Sequence, residues 1–553
     1  MRLNRLINFI LLVILLSSIA FAQNPQESWQ QYATPEEAGF SSEQLNKAKV
    51  LYDSLDAVAF MVVYDGKILF SWGDVERRFM CHSIRKSLLS ALYGIYVADE
   101  LIDMDKTMAD LNIDDKDQLT EDEKMARVRD LIKARSGVYH PAAYETAGMK
   151  ASRPKRGSHP RDTFWYYNNW DFNVLGKIFE QETKTDIFDA FKNRLAVPLQ
   201  MEDFRLMDGY HHLEPENSIH PAYPFKLSAR DMARLGLLYL NNGKWNEKQI
   251  ISEEWIKESA TSYSDAGNRG GYGYLWWIAG EFKDVGMYSA LGVGTQIIAV
   301  IPGANMVLVQ RVNTYEGKRC PPNARLARMI LNAKVTEPKT NPKLIPLQNT
   351  PSYKRAELIT LTSETLDKYV KEYPFDQGKI VVEKVDNVLL IKSPNLGNYR
   401  LLPISETVFV VEDLEQYAVF GYDDNQPTTV TLQLSSKAAQ LYSIIVKSGI
   451  ETAVEKYKKM KKAGDVVKEY PMNFLGYQLM GINKMEEAIK IFKLNVETYP
   501  ESFNVWDSLG EAYMKNDEYE IAIKQYKKSL ELNPQNKNAE IRIKRMKRKM
   551  ERK

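Results

Sequence analysis

The chain has 553 residues, of which 44% are hydrophobic, with two cysteines and a formal net charge of +2. That length leaves room for about three or four domains with sizeable cores. The near-neutral charge gives no electrostatic case for a nucleic-acid partner, and Cys81 and Cys320 are too few for a disulfide scaffold, leaving one bridge or two free thiols both open.

The first 22 residues carry Arg2 and Arg5, an apolar stretch over 7–16, and Ala20-Phe21-Ala22 before Gln23. Charge, apolar core and an A-x-A end make a secretory signal peptide, and the core is short for a membrane span. Cleavage after Ala22 and a periplasmic or secreted mature protein without a membrane span are expected.

Residues 30–335 read as one mixed domain. Residues 58–64 form a buried-strand run, Asp65-Gly66 a hairpin turn, and 67–72 the returning strand. Three more strands are expected over 285–291, 296–301 and 306–312, with helices and loops between the two strand groups. Strands at both ends and helices in the middle suggest one antiparallel sheet flanked by helices, an α/β (α+β) arrangement. Residues 336–353 hold four prolines and no long apolar run, and read as a linker. Residues 354–436 alternate short strand-like pieces with turns and read as a small all-β module, a barrel or a sandwich.

Residues 446–545 repeat with a period of 34: Leu475 matches Leu509, Gly476 Gly510, Ala488 Ala522, Phe492 Tyr526, and Pro500 Pro534. This is the tetratricopeptide pattern of paired helices whose small residues allow close packing, an all-α array. Residues 449–460 read as a worn half-repeat. Two full repeats are too few to stand alone, so the array is expected to dock within the chain or on a protein partner. The basic tail over 542–553 reads as a solvated helix end.

Three segments could carry chemistry. Ser83-Ile84-Arg85-Lys86 opens an apolar helical run, which puts the serine at a helix N-terminus with the lysine three residues on, on the same face. An amine there can take the serine proton and make it a nucleophile; a capping serine beside a surface lysine is the alternative. In Trp165-Tyr166-Tyr167-Asn168-Asn169-Trp170, a tyrosine could relay that proton, or the rings could simply be core. In Tyr288-Ser289-Ala290-Leu291-Gly292-Val293-Gly294, small residues let a substrate backbone approach a strand, whose free N–H could serve an oxyanion. No G-x-S-x-G elbow, H-E-x-x-H, C-x-x-C or P-loop occurs. His211 and His212, near Glu214 and Glu216, read as a polar loop rather than a metal site. His82 adjoins Ser83 but does not face it along a helix.

The order S-x-x-K, then Y-x-N, then a small-x-Gly strand resembles the serine β-lactamase-like family of class C β-lactamases, D-alanyl-D-alanine carboxypeptidases and esterases. Residues 131–137, which end in Ser-Gly, Leu175-Gly176, and the segments 227–236 and 271–277 extend the resemblance over about 35–335. Leu175-Gly176 favours Tyr167 with Asn169 as the matching pair. The resemblance implies that Ser83 is the acylated nucleophile, that Lys86 and Tyr167 move protons, and that Asn169 and Gly292 position substrate. It also implies that the backbone N–H groups of Ser83 and Val293 form the oxyanion hole, with no cofactor or metal. One position departs: Ala290 stands where many members carry lysine or histidine, which counts against β-lactam and D-Ala-D-Ala recognition. The expectation is an exported serine hydrolase acting on ester or amide bonds of a small molecule or peptide. The alternatives are a peptidoglycan DD-peptidase or β-lactamase, and a catalytically silent binding protein of the same fold.

Overall fold

The computed structural model describes residues 24–316, 319–321, 324–348, 357–375, 378–393, 397–414, 416–423 and 426–551. The expected signal peptide, residues 1–22, lies outside the described residues. The chain divides into two compact units, Met1–Lys354 and Arg355–Lys553.

The first unit is built on a ten-stranded sheet. Its strands are β1 (Gln30–Tyr32), β2 (Ala57–Tyr64), β3 (Lys67–Gly73), β4 (Ser264–Asp265), β5 (Gly271–Tyr272), β6 (Trp277–Ile278), β7 (Tyr288–Gly292), β8 (Gln296–Ile301), β9 (Met306–Val312) and β10 (Leu344–Pro346). They lie in the order β10-β1-β3-β2-β9-β8-β7-β6-β5-β4. Both ends of the region thus supply the sheet: β2 pairs antiparallel with β9 from Met306↔Tyr64 to Val312↔Ala57. Two details differ from the sequence reading. Residues 280–285 turn as a 3-10 helix, so β7 begins only at Tyr288. Within the proline-rich stretch read as a linker, Leu344–Pro346 pair antiparallel with Gln30–Tyr32. Pro346 sits on the edge strand, where a missing N–H costs no ladder bond.

Period-2 alternation along these strands sends residues to two cores. On one face, Met61, Val63, Ala290, Ile298, Val300, Val307 and Val309 join the larger core, with α2 (Ile84–Ala98), α3 (Asn169–Thr183) and α4 (Ala229–Leu240). On the other, Phe60, Val62, Ala299 and Leu308 pack with α1 (Ser42–Asp53) and α5 (Ala324–Asn332). Helix α2 is buried along almost its whole length, Ile84 to Tyr96.

The second unit opens with a seven-stranded antiparallel sheet over 371–433, in which each strand pairs with its chain neighbours. Seven helices follow between Ser436 and Met550, among them the repeat pairs Glu469–Gly481 with Met485–Thr498 and Phe503–Lys515 with Tyr519–Leu532. The residues read as a half-repeat form the helix Ile450–Lys462. The 34-residue period reaches the backbone: Asn483 and Asp517, one repeat apart, both turn through left-handed conformations at φ 60°.

Candidate active site

Strand Phe79–Met80 leads into a tight turn at the start of α2. Cys81 N–H donates to the Phe225 carbonyl at 2.8 Å and Ile84 N–H to the Cys81 carbonyl at 3.2 Å. His82 takes φ +50°, a conformation that non-glycine residues seldom adopt and that recurs at functional sites. Its Nε2 is held 2.8 Å from Thr314 Oγ1. Burial and the nearby cations push its imidazole down to about 4, so it is uncharged at neutral pH. Ser83 then occupies the N-cap position of α2 without capping it. Its Oγ instead lies 2.9 Å from Lys86 Nζ, one turn along.

Lys86 is 2% exposed. Its amine lies 4.7 Å from the Tyr167 ring centroid and 4.9 Å from that of Phe172. Burial, then the adjacent Arg85 charge, hold the amine well below the ordinary lysine value. Burial pushes the Tyr167 hydroxyl up to about 12, against the pull of the Ser83 hydroxyl and of the Arg85 and Arg269 charges.

Tyr167 reaches the cleft because the turn before α3 is pinned from below. Asn168 accepts the Trp170 N–H at 3.2 Å and donates to the Val138 carbonyl at 2.6 Å and to Asp171 Oδ1 at 2.8 Å. Ser136 donates to the same carboxyl oxygen at 2.6 Å. The Ser-Gly loop noted in the sequence is thus bonded to the tyrosine-bearing turn. Tyr166 points elsewhere, with its hydroxyl on the Met149 carbonyl at 2.9 Å. The Tyr167 ring packs against Phe172, Trp277 and Tyr272 at 5.0, 5.3 and 6.1 Å. Asn169 directs its amide to the carbonyls of Tyr144 at 2.7 Å and Ala143 at 3.5 Å, and its buried Oδ1 has no partner among the described residues.

The third side is β7. Its neighbour β6 pairs only with Tyr288 and Ser289, which leaves the edge from Ala290 to Gly292 open. Gly292 runs directly over the Cys81 turn: a β-carbon there would stand 2.4 Å from the Cys81 carbonyl oxygen. Ala290 is fully buried in the core, so no side chain from this position enters the cleft. The backbone N–H groups of Ser83 and Val293 have no hydrogen-bond partner among the described residues.

Together these residues line a cleft of about 920 Å³ that also takes in Tyr144, Arg269 and Arg319. The Arg269 guanidinium lies 5.0 Å from the Trp277 ring centroid. On the opposite face of the sheet the same cavity reaches Phe60, Ile297 and Leu308. Tyr144, Arg269 and Arg319 carried no sequence signal, since each stands alone between unremarkable neighbours. Arg85 lies inside the S-x-x-K motif, and the motif itself could have flagged it. The cysteines are both buried free thiols. His211 and His212 diverge: His211 Nε2 is 2.9 Å from Glu180 Oε1, and His212 Nε2 is 3.3 Å from Glu214 Oε1. The ligand atoms of Glu180, Asp186 and His211 lie within 4.8 Å of one another.

The arrangement can hold a nucleophilic oxygen beside a buried amine whose proton affinity is lowered by burial and then by Arg85, a protonated phenol and two free N–H donors, which are the parts acyl transfer requires. Comparison with known proteins agrees at the level of family. Residues 50–331 match the family model described as Beta-lactamase, and residues 503–536 match that of the tetratricopeptide repeat. Among curated proteins, the N-terminal acetyltransferase A complex auxiliary subunit NAA15 of Arabidopsis thaliana is 35% identical over 109 residues; the match covers 19% of this chain and 12% of that protein. Among solved structures, a candidate 6-aminohexanoate-dimer hydrolase from Bacillus anthracis is 19% identical, covers 57% of this chain and 87% of its own, and gives a TM-score of 0.42. A beta-lactamase from Mycobacterium bovis is 16% identical, covers 52% and 96%, and gives 0.37.

Proposed function

The chain belongs to the Beta-lactamase family, and on that premise we propose that it is an exported serine hydrolase that cleaves ester or amide bonds through an acyl-enzyme on Ser83. The observation that carries this reading is the 2.9 Å approach of Lys86 Nζ to Ser83 Oγ inside a cleft that keeps the lysine out of water.

In this reading Ser83 Oγ attacks the substrate carbonyl carbon as its proton passes to the Lys86 amine. The oxyanion forms against the N–H groups of Ser83 and Val293. The proton then moves through Tyr167 to the leaving alcohol or amine, and the acyl group stays on Ser83. A water molecule attacks the ester along the reverse proton route and frees the acid. Gly292 lets the substrate lie against β7, and Asn169 offers its free Oδ1 to a substrate N–H or O–H. Residues 1–22 would direct export. The tetratricopeptide helices would supply a surface for a protein partner.

The DD-peptidase or β-lactamase alternative is favoured by one feature: Arg269 puts a cation at the cleft although position 290 supplies none. Turnover of a chromogenic cephalosporin would move that alternative to first place. The hydrolase reading itself is tested by incubating the mature protein with an alkyl fluorophosphonate and mapping the adduct. An adduct confined to Ser83 supports it. No adduct supports the catalytically silent binding protein instead, and one that persists in Ser83→Ala overturns Ser83 as the nucleophile.

A further inference from the structure

Arg85 is as deeply buried as Lys86, also 2% exposed, and lines the same cleft. A buried guanidinium ordinarily has a carboxylate partner. Among the described residues Arg85 has none: Nη2 donates to Asn173 Oδ1 at 2.8 Å, and Nη1 has no hydrogen-bond partner. Its remaining support is the face of the Tyr223 ring, 4.2 Å from the guanidinium carbon. Asn173 is itself fixed by its amide, which donates to the Ala143 carbonyl at 3.2 Å.

Two adjacent buried cations repel in a medium of low dielectric, and the cheapest relief is for one to lose its proton. A guanidinium does not deprotonate in proteins, whereas a lysine amine does. The groups facing Lys86 offer nothing to reverse this. From its own helix and the preceding turn come Ser83, Arg85 and the uncharged His82. From α3 come the Tyr167 and Phe172 rings. Asp171, on the same helix, turns to Ser136 and Asn168, and burial drives it well above the usual carboxylate range. Arg269 and Arg319 add positive charge to the cleft wall.

We propose that Arg85 is the permanent positive charge of the site, a buried guanidinium without a carboxylate partner whose charge favours Lys86 as the acceptor of the Ser83 proton. Arg85 acts through Lys86 and touches no reacting atom, so it is a positioning residue. The inference rests on the acyl-enzyme reading given above.

The test is the pH dependence of Ser83 phosphonylation by an alkyl fluorophosphonate. In that step the Ser83 Oγ–P bond forms, the P–F bond breaks, fluoride leaves and the serine proton passes to Lys86. The parent protein is expected to show an acidic limb set by the Lys86 amine. In Arg85→Gln the limb moves to higher pH, because the charge that opposed Lys86 protonation is gone. Asn173→Asp tests the same point without removing the arginine: a carboxylate beside Nη2 neutralises Arg85 in place, and the limb again moves to higher pH. If Arg85→Gln does not fold, Asn173→Asp decides. Variants that label more slowly with an unmoved limb would show a purely structural arginine and overturn the proposal. A parent protein that is not labelled at Ser83 would overturn the acyl-enzyme reading, and this inference with it.

Discussion

The Lys86 amine lies over the Tyr167 ring, 4.7 Å from its centroid, while the same nitrogen reaches Ser83 Oγ at 2.9 Å. The lysine thus meets the tyrosine through its aromatic face and the serine through a hydrogen bond, and all three close one wall of the cleft.

The buried lysine works against the fold. Its amine is held well below the ordinary value, first by burial and then by Arg85. Between that lowered value and the ordinary one, the unfolded chain binds more protons than the folded chain, so stability falls as pH drops through this window. Lys86→Met is expected to lower hydrolysis by roughly a thousandfold or more and to raise the melting temperature at pH 7. The gap in melting temperature narrows as pH rises toward the ordinary lysine value. Melting curves at neutral and alkaline pH check this; a variant that melts below the parent at pH 7 would contradict it.

Tyr167→Phe removes only a hydroxyl. Its packing against Phe172, Trp277 and Tyr272 is made by the ring. The expected result is a loss of roughly a hundred- to ten-thousand-fold in kcat, with a melting temperature close to the parent's. Tyr166→Phe, by contrast, loses only a bond to the Met149 carbonyl and is expected to retain most activity. Equal losses in the two variants would count against the role given to Tyr167.

Gly292→Ala puts a methyl group against the Cys81 carbonyl, at 2.4 Å before relaxation. Strand β7 or the Cys81 turn must move, at a cost of about 1–3 kcal/mol. That turn carries Ser83, so kcat/KM is expected to fall by about tenfold or more. Unchanged kinetics would show that the strand and the turn do not position one another.

Much of the frame was legible in the sequence because it depends on short-range signals. Strands 296–301 and 306–312 coincide with β8 and β9, whose apolar runs are bounded by turns. The start of β7 was misread because Val285 and Met287 look like strand residues, while Gly286, at φ +65°, turns the chain between them. The strand over Leu344–Pro346 was hidden among prolines and exists only through its pairing with Gln30–Tyr32. At the site, Ser83 and Lys86 were visible because one helical turn joins them. Arg269 and Asn173 were not, because they meet the cleft and Arg85 through tertiary packing that no local pattern encodes.

The helical repeats give a separate test. A β-carbon on Gly476 would stand 2.6 Å from the Phe492 ring, whereas the matching contact of Gly510 with the Tyr526 ring is 3.1 Å. Gly476→Ala is therefore expected to destabilise the helical array more than Gly510→Ala, by about 1–3 kcal/mol, and to leave hydrolysis unchanged. Helical circular dichroism during melting reads the first effect and an ester assay the second.

Hydrolysis of a short activated ester by the protein and by its Ser83→Ala variant tests the acyl-enzyme on Ser83. The parent is expected to turn over the ester with a burst of one leaving group per chain, and the variant to lose turnover while its melting temperature holds. Turnover that survives the substitution, or that is absent from both proteins, would contradict the acyl-enzyme reading.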